Sequence, residues 1–224
     1  MRAMPSDEVS PSALPSPVRA VIFDFDGVIA DDELLHLAGF RQALASQGIS
    51  VDQADYFARY VGFNDHDGFR AILADNRRQA DSETVAGLMT DKARTFAELV
   101  SERVRIFPGV EQLLGRLRAG SDPLPTAIGS GALRSEIDLV LGASHLDGLF
   151  DVIVAADDVS RGKPDPETFI EASRRLEVGP ERCIVIEDST GGLEAAAHAG
   201  MRRVAVTNTY AAHELDAELV VTSL

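Results

Sequence analysis

The stretch VIFDFDGV at residues 21–28 decides the fold of this chain, because an apolar run ends there in two carboxylates and a glycine. Two like charges about 4 Å apart repel by roughly 4 kcal/mol at an effective dielectric constant near 20. Asp24 and Asp26 therefore imply a cation or a proton that offsets their repulsion. The same spacing at Asp65 and Asp67 follows no apolar run, so we interpret that second copy as a solvated turn or the start of a helix.

Short apolar runs alternate with amphipathic stretches over much of the chain. The predicted strands are residues 18–25, 126–128, 152–155, 183–186, 204–207 and 219–221. The predicted helices between them are residues 109–118, 133–141, 166–176 and 192–199. This alternation predicts an α/β fold with a doubly wound parallel sheet.

Residues 32–102 interrupt the alternation, because their apolar residues recur only at helical spacing, as at Leu34, Leu37 and Leu44. They predict an all-helical subdomain inserted after the first strand, with the core formed by residues 18–31 and 103–224. Residues 1–17 contain four prolines among serines and acids, which predicts a disordered leader and not a signal peptide.

The charge of the chain limits its partners. A net charge of −15 and a pI near 4.6 repel polyanions, so we expect neither nucleic acid nor an anionic membrane surface as a partner. No segment approaches the ~20 consecutive apolar residues of a membrane span, and we expect a cytoplasmic monomer. A small phosphorylated metabolite would have to be attracted by a local cation.

Polar groups follow three further predicted strands. Glu187 and Asp188 end one apolar run, Ser130 and Gly131 follow another, and Lys163 stands between a glycine and a proline after a third. Taken singly, these groups fit a charged loop, a helix cap and a solvated lysine. Taken together at the carboxyl ends of parallel strands, where open α/β sheets bind ligands, they predict a divalent-cation site beside a phosphate site.

These residues resemble the motifs of the haloacid dehalogenase superfamily, in the branch of β-phosphoglucomutase and the phosphoglycolate-phosphatase-like hydrolases. The resemblance covers about residues 18–210, with motifs at residues 24–28, Ser130, residues 162–167 and residues 187–201. It implies a Rossmann-like core, a four-helix cap and Mg²⁺-dependent phosphoryl transfer.

The resemblance also implies roles for the four acids. Asp24 would attack phosphorus and form an aspartyl-phosphate. Asp26 would protonate the leaving alkoxide and then activate water. Mg²⁺ would be held by the Asp24 carboxylate, the Asp26 backbone carbonyl and Asp188, with Glu187 as a further ligand or as a partner of the ligands.

The remaining implied residues contact the substrate. Ser130, Lys163 and the backbone N–H near Gly131 would bind the phosphoryl oxygens. His36 matches a cap histidine of the family that approaches the general acid, although an ordinary surface histidine fits the pattern equally well. Asp32 stands where relatives usually have serine or threonine, and we expect it to cap the first cap helix, with a raised pKa of Asp26 as the alternative.

The sequence therefore predicts a Mg²⁺-dependent phosphatase of a sugar phosphate or phosphoglycolate type of substrate. A β-phosphoglucomutase-like mutase is the alternative, but Asp65 stands where that enzyme has a phosphate-binding arginine. A dehalogenase would need neither the metal nor Asp26. A phospho-accepting regulatory module would be shorter and would carry no helical insert.

Overall fold

The structure is a computed structural model that describes residues 17–224. The leader expected at residues 1–17 thus falls, except for its last residue, outside the described residues. Within the described part of the chain, no helix is both long and apolar enough to cross a bilayer.

The core is one parallel sheet of six strands. The strands are β1 (Ala20–Phe23), β2 (Thr126–Gly129), β3 (Val152–Val154), β4 (Cys183–Glu187), β5 (Arg202–Val206) and β6 (Leu219–Val221). Their spatial order is β3-β2-β1-β4-β5-β6 and every neighbouring pair is parallel. The predicted doubly wound α/β fold is confirmed.

Strand β1 lies at the centre of the sheet, with all four residues buried, as its uninterrupted apolar sequence requires. Phe23 is paired with Ile128 of β2 and with Ile186 of β4. The residues that follow these three strands therefore emerge side by side at one edge of the sheet.

Two strands, β1 and β5, differ by two residues from a predicted limit, and β2, β3 and β4 differ by one residue at the carboxyl end. β1 ends at Phe23 instead of residue 25, because the Phe25 carbonyl accepts turn hydrogen bonds from the N–H groups of Ile29 and Ala30. β5 begins at Arg202 instead of residue 204, because its first residues pair with β4 although they are charged. The Arg203 guanidinium lies 3.0 Å from Asp216, so apolar periodicity could not locate this end.

Eight α-helices accompany the strands within residues 17–224, and they are α1 (Glu33–Ala45), α2 (Gln53–Arg59), α3 (Asp65–Asp75), α4 (Ser82–Arg103), α5 (Val110–Arg118), α6 (Arg134–Ala143), α7 (Glu167–Arg175) and α8 (Thr190–His198). Helices α1 to α4 follow one another between β1 and α5 with no intervening strand, and form the helical cap. Their buried faces build a separate apolar cluster around Phe40, Phe69 and Leu73. The cap therefore has its own core, next to the sheet.

Candidate active site

Three carboxylates meet where β1 and β4 end. Asp24 follows β1 directly, Glu187 is the last residue of β4, and Asp188 comes next. One oxygen from each lies within 4.8 Å of the others, and all three residues are buried. Because β1 and β4 are neighbours in the sheet, the register of their pairing brings the three acids together.

Lys163 inserts an ammonium group between two of these acids. Its Nζ donates to Asp24 Oδ1 at 2.6 Å and to Glu187 Oε1 at 2.8 Å, and it also lies 4.8 Å from the centre of the Phe169 ring. The ammonium group thus contacts the face of an aromatic ring as well as two acids. The lysine predicted from the third motif is therefore not a solvated loop residue.

The charge is divided unequally among these groups. Burial and the nearby Glu187 raise the pKa of Asp24 to about 7, although Lys163 opposes the shift. Burial would also raise the pKa of Glu187, but Lys163 and the N–H of Ser189 outweigh it and hold that pKa below its usual value. Burial and the charges of Glu187 and Asp24 raise the pKa of Asp188 well above its usual value. Burial lowers the pKa of Lys163, but Asp24 and Glu187 outweigh it, so the net shift is upward.

Neighbouring groups fix the orientation of the acids. The N–H groups of Asp188 and Ser189 donate to Glu187 Oε2 at 2.7 and 2.6 Å. The Thr209 hydroxyl donates to Asp188. Gly27, at φ +81°, leaves no room for a Cβ, because that atom would collide with the Asp188 carboxylate. The acids therefore have defined positions before any ligand binds.

The donor set fits Mg²⁺. This cation requires hard oxygen ligands, which the carboxylates supply. Lys163 binds Asp24 and Glu187, and its single positive charge does not offset the negative charge of the three buried carboxylates. The Asp26 carboxylate belongs to a different cluster, so only its backbone carbonyl remains as the metal ligand expected from that residue.

Ser130 and Gly131 lie at the same sheet edge, beyond β2. Ser130 is 1% exposed, and its Oγ accepts from the N–H of Ala132 at 2.9 Å, which leaves the hydroxyl hydrogen available to a ligand. Gly131 is exposed, and a Cβ there would meet nothing within 4 Å. Their binding of a phosphoryl group stays a prediction.

A second polar cluster faces Asp26 from the first cap helix. His36 Nε2 lies 3.9 Å from an Asp26 oxygen and 3.8 Å from an Asp32 oxygen. The expected capping role of Asp32 is wrong, because its side chain accepts no hydrogen bond from the start of α1 and is buried. His36 is also buried, with its ring 4.3 Å from that of Phe96, so it is not a surface histidine.

Lys92 lies behind His36 and is fully buried. Its Nζ lies 2.8 Å from His36 Nδ1, 2.7 Å from an Asp65 oxygen and 3.0 Å from a Glu136 oxygen. Asp65 indeed begins α3, as expected for a helix start, but its carboxylate is not solvated, because it binds Lys92. Since Glu136 is on α6, this lysine links the cap to the core.

The second cluster has strongly shifted pKa values. Burial, followed by the charges of Asp32 and Asp24, raises the pKa of Asp26 well above its usual value. Burial and Glu33 raise the pKa of Asp32 to about 7. Burial and Lys92 lower the pKa of His36 well below its usual value. A raised pKa suits an acid that must first hold a proton and then release it.

Sequence reasoning missed Lys92, Glu136 and Thr209. The sequence does carry a signal for Lys92, because it occupies the apolar face of α4 between Leu88 and Phe96 at four-residue spacing. A lysine in such a face must be paired or lie at an end of the helix. Thr209 follows β5, where polar residues at the carboxyl edge of the sheet were also to be expected.

Comparisons with known proteins agree with this geometry. A family model described as haloacid dehalogenase-like hydrolase matches residues 21–206. The "Phosphorylated carbohydrates phosphatase" of Thermotoga maritima is 33% identical over 188 residues, which cover 84% of this chain and 84% of that protein. The crystal structure of CbbY from Rhodobacter sphaeroides in complex with phosphate has a TM-score of 0.83 at 27% identity, covering 92% of this chain and 94% of that one. β-Phosphoglucomutase from Clostridium difficile has a TM-score of 0.81 at 28% identity, covering 92% and 91%.

Proposed function

This chain belongs to the haloacid dehalogenase-like hydrolase family and is a phosphoric monoester hydrolase, and we propose that it is a Mg²⁺-dependent phosphatase of a small sugar phosphate or phosphoglycolate type of substrate. The observation that carries the proposal is the position of Lys163, which lies 2.6 Å from Asp24 and 2.8 Å from Glu187. An ammonium group has three N–H donors, so Lys163 can bind both acids and keep one donor for an incoming phosphoryl group. The phosphatase from Thermotoga maritima supports the substrate class.

In the proposed reaction, an Asp24 oxygen attacks phosphorus and the bond from phosphorus to the ester oxygen breaks. The leaving oxygen takes the proton of Asp26, whose raised pKa keeps that proton available. Water then attacks the aspartyl-phosphate, Asp26 accepts a proton from this water, and inorganic phosphate leaves with Asp24 regenerated.

The other residues stabilise charge in this scheme. Lys163, the Ser130 hydroxyl and the N–H of Gly131 would donate to the phosphoryl oxygens. Asp24, Asp188, the Asp26 carbonyl and Glu187 would hold Mg²⁺, directly or through a hydrogen bond, and the ion would neutralise charge on the transferring group. We also propose that residues 32–102 act as a cap that covers the site, with residues 18–31 and 103–224 as the core.

The proposal is tested by phosphate release from a chromogenic aryl phosphate and from a panel of phosphorylated metabolites. We expect turnover with Mg²⁺ and none after chelation. Asp26→Asn should lower the rate by about 10² to 10⁴-fold on esters with poor leaving groups. Turnover that survives chelation, or an unchanged rate in this variant, would refute the mechanism.

A mutase is the second candidate, because β-phosphoglucomutase has a similar fold. A mutase must hold a bisphosphate, which requires a cation on the cap. By the sequence alignment, Asp65 stands where a mutase has that cation, and its carboxylate is itself bound to Lys92 at 2.7 Å. We therefore expect β-glucose 1-phosphate, with Mg²⁺ and catalytic bisphosphate, to give inorganic phosphate or nothing. Accumulation of glucose 6-phosphate without phosphate release would favour the mutase.

A further inference from the structure

Asp32 has an unusual environment for a buried acid. It is 1% exposed, and neither of its carboxylate oxygens has a hydrogen-bond partner among residues 17–224. A buried acceptor without a donor costs free energy, and in native structures such a group requires an explanation, often a ligand or an ordered water. In either protonation state Asp32 keeps an oxygen that can accept a hydrogen bond.

His36 presents the complementary group to the same space. A lysine ammonium can only donate, so the 2.8 Å contact from Lys92 makes His36 Nδ1 the acceptor. The proton of the neutral ring is therefore on Nε2. This buried N–H also finds no partner in the described part of the chain, and it lies 3.8 Å from Asp32 Oδ2.

The two unpaired groups lie where the leaving group of the substrate would be. Oxygens of Asp26 and Asp32 and a ring nitrogen of His36 lie within 4.8 Å of one another. If Asp26 donates its proton to the ester oxygen, the atoms attached to that oxygen must approach Asp32 and His36. A group in contact with them can therefore be separated from the ester oxygen by only one or two carbon atoms.

We propose that Asp32 and His36 form a subsite for a hydroxyl group on the carbon next to the esterified carbon of the substrate. This inference rests on the proposed phosphatase function and narrows its substrate to a vicinal hydroxy phosphate, as in a polyol or sugar phosphate. One hydroxyl oxygen can lie within about 2.9 Å of both groups, accepting from His36 Nε2 and donating to Asp32.

Other leaving groups satisfy only one half of the pair. An ammonium donates to Asp32 but cannot accept from His36. A carboxylate or second phosphate accepts from His36 but has no proton to donate to the acceptor oxygen that Asp32 keeps in either protonation state, and it adds negative charge beside Asp26, Asp32 and Glu33. The one lysine of this cluster, Lys92, is already bound to Asp65 and Glu136. The subsite thus disfavours the phosphoglycolate type of substrate.

Three two-carbon esters test the inference, because they differ only in the group on the second carbon. These are ethyl phosphate, 2-hydroxyethyl phosphate and carboxymethyl phosphate. We expect kcat/KM for 2-hydroxyethyl phosphate to exceed that for ethyl phosphate by about tenfold or more, as one well-placed hydrogen bond allows. Carboxymethyl phosphate should be the poorest of the three.

Asp32→Ala identifies the residue responsible. We expect it to reduce the hydroxyl preference below about threefold, chiefly by slowing 2-hydroxyethyl phosphate. The matched control Asp31→Ala removes the same charge from an exposed neighbour and should keep the preference. A purely structural defect would slow all three esters alike and leave their ratio unchanged.

The outcomes separate this inference from the phosphatase proposal. Equal rates on ethyl and 2-hydroxyethyl phosphate would mean that water satisfies Asp32 and His36, which overturns the subsite and leaves the phosphatase intact. A preference for carboxymethyl phosphate, or a hydroxyl preference that persists in Asp32→Ala, would also overturn it. No hydrolysis of these esters or of an aryl phosphate would refute both proposals.

Discussion

At the scale of single residues, the site depends on one lysine that binds two of its three acids. Lys163 binds Asp24 and Glu187, whereas the hydrogen bond to Asp188 comes from the neutral hydroxyl of Thr209. Glu187 therefore keeps its charge, while Asp24 and Asp188 have raised pKa values. A bound cation would therefore lower the pKa values of these two acids the most.

The nucleophile assignment predicts the result of Asp24→Asn. The amide keeps the shape and the contact with Lys163 but cannot form an acyl-phosphate, so activity should fall by about 10⁴-fold or more. Asp157→Asn is the control, because it changes an exposed acid after β3. Phosphate release and circular dichroism measure the two variants, and a folded Asp24→Asn protein with substantial activity would contradict the assignment.

The metal assignment predicts the result of Asp188→Ala. We expect activity and the Mg²⁺-induced rise in melting temperature to disappear together, since one hard oxygen ligand is lost. Without Mg²⁺ the variant should be as stable as the parent or more so, because it lacks a buried acid with a raised pKa. An unchanged Mg²⁺-induced shift would remove Asp188 from the metal site.

At the scale of elements, the sequence predicted the positions of strands and helices, which follow from periodicity. It predicted few of the side-chain contacts between distant elements. The apolar runs located β1, β2 and β4, and the polar residues after them met at one edge because parallel strands share a direction. Periodicity says nothing about side-chain partners, however. The capping role of Asp32 was wrong, and the contacts of Lys92 with α1, α3 and α6 were missed, because they join residues up to 56 positions apart.

The Lys92 contacts predict a large effect on stability. Lys92→Met leaves the partly buried carboxylate of Asp65 and the buried carboxylate of Glu136 without their cation, which should lower the free energy of unfolding by about 3 kcal/mol. The control is Arg134→Met, which breaks an exposed pair with Asp138 on the same helix as Glu136 and should cost less than about 0.5 kcal/mol. Denaturant unfolding measures both, and equal losses would contradict the structural role of Lys92.

At the scale of the whole molecule, buried acids in two clusters around one edge of the sheet couple stability to pH. The pKa of Asp24 and that of Asp32 are each raised from 3.8 to about 7, and that of Asp188 is raised as well. An acid with a raised folded-state pKa stabilises the fold fully below its unfolded pKa, and this contribution is lost as pH rises through the folded pKa. Glu187 opposes the trend, because its pKa is lowered.

Mg²⁺ should counteract the loss of stability at higher pH, because it binds the ionised carboxylates and competes with protons for them. In the metal-free protein, we therefore expect the buried acids to reduce stability between about pH 4 and pH 7. The Mg²⁺-induced rise in melting temperature should be small near pH 5 and reach about 5 °C or more near pH 8. Melts in Mg²⁺ and in chelator at both pH values measure it, with Asp188→Ala as the control that should show no rise at either. A rise of equal size at both pH values would mean that Mg²⁺ binds elsewhere than at the buried acids.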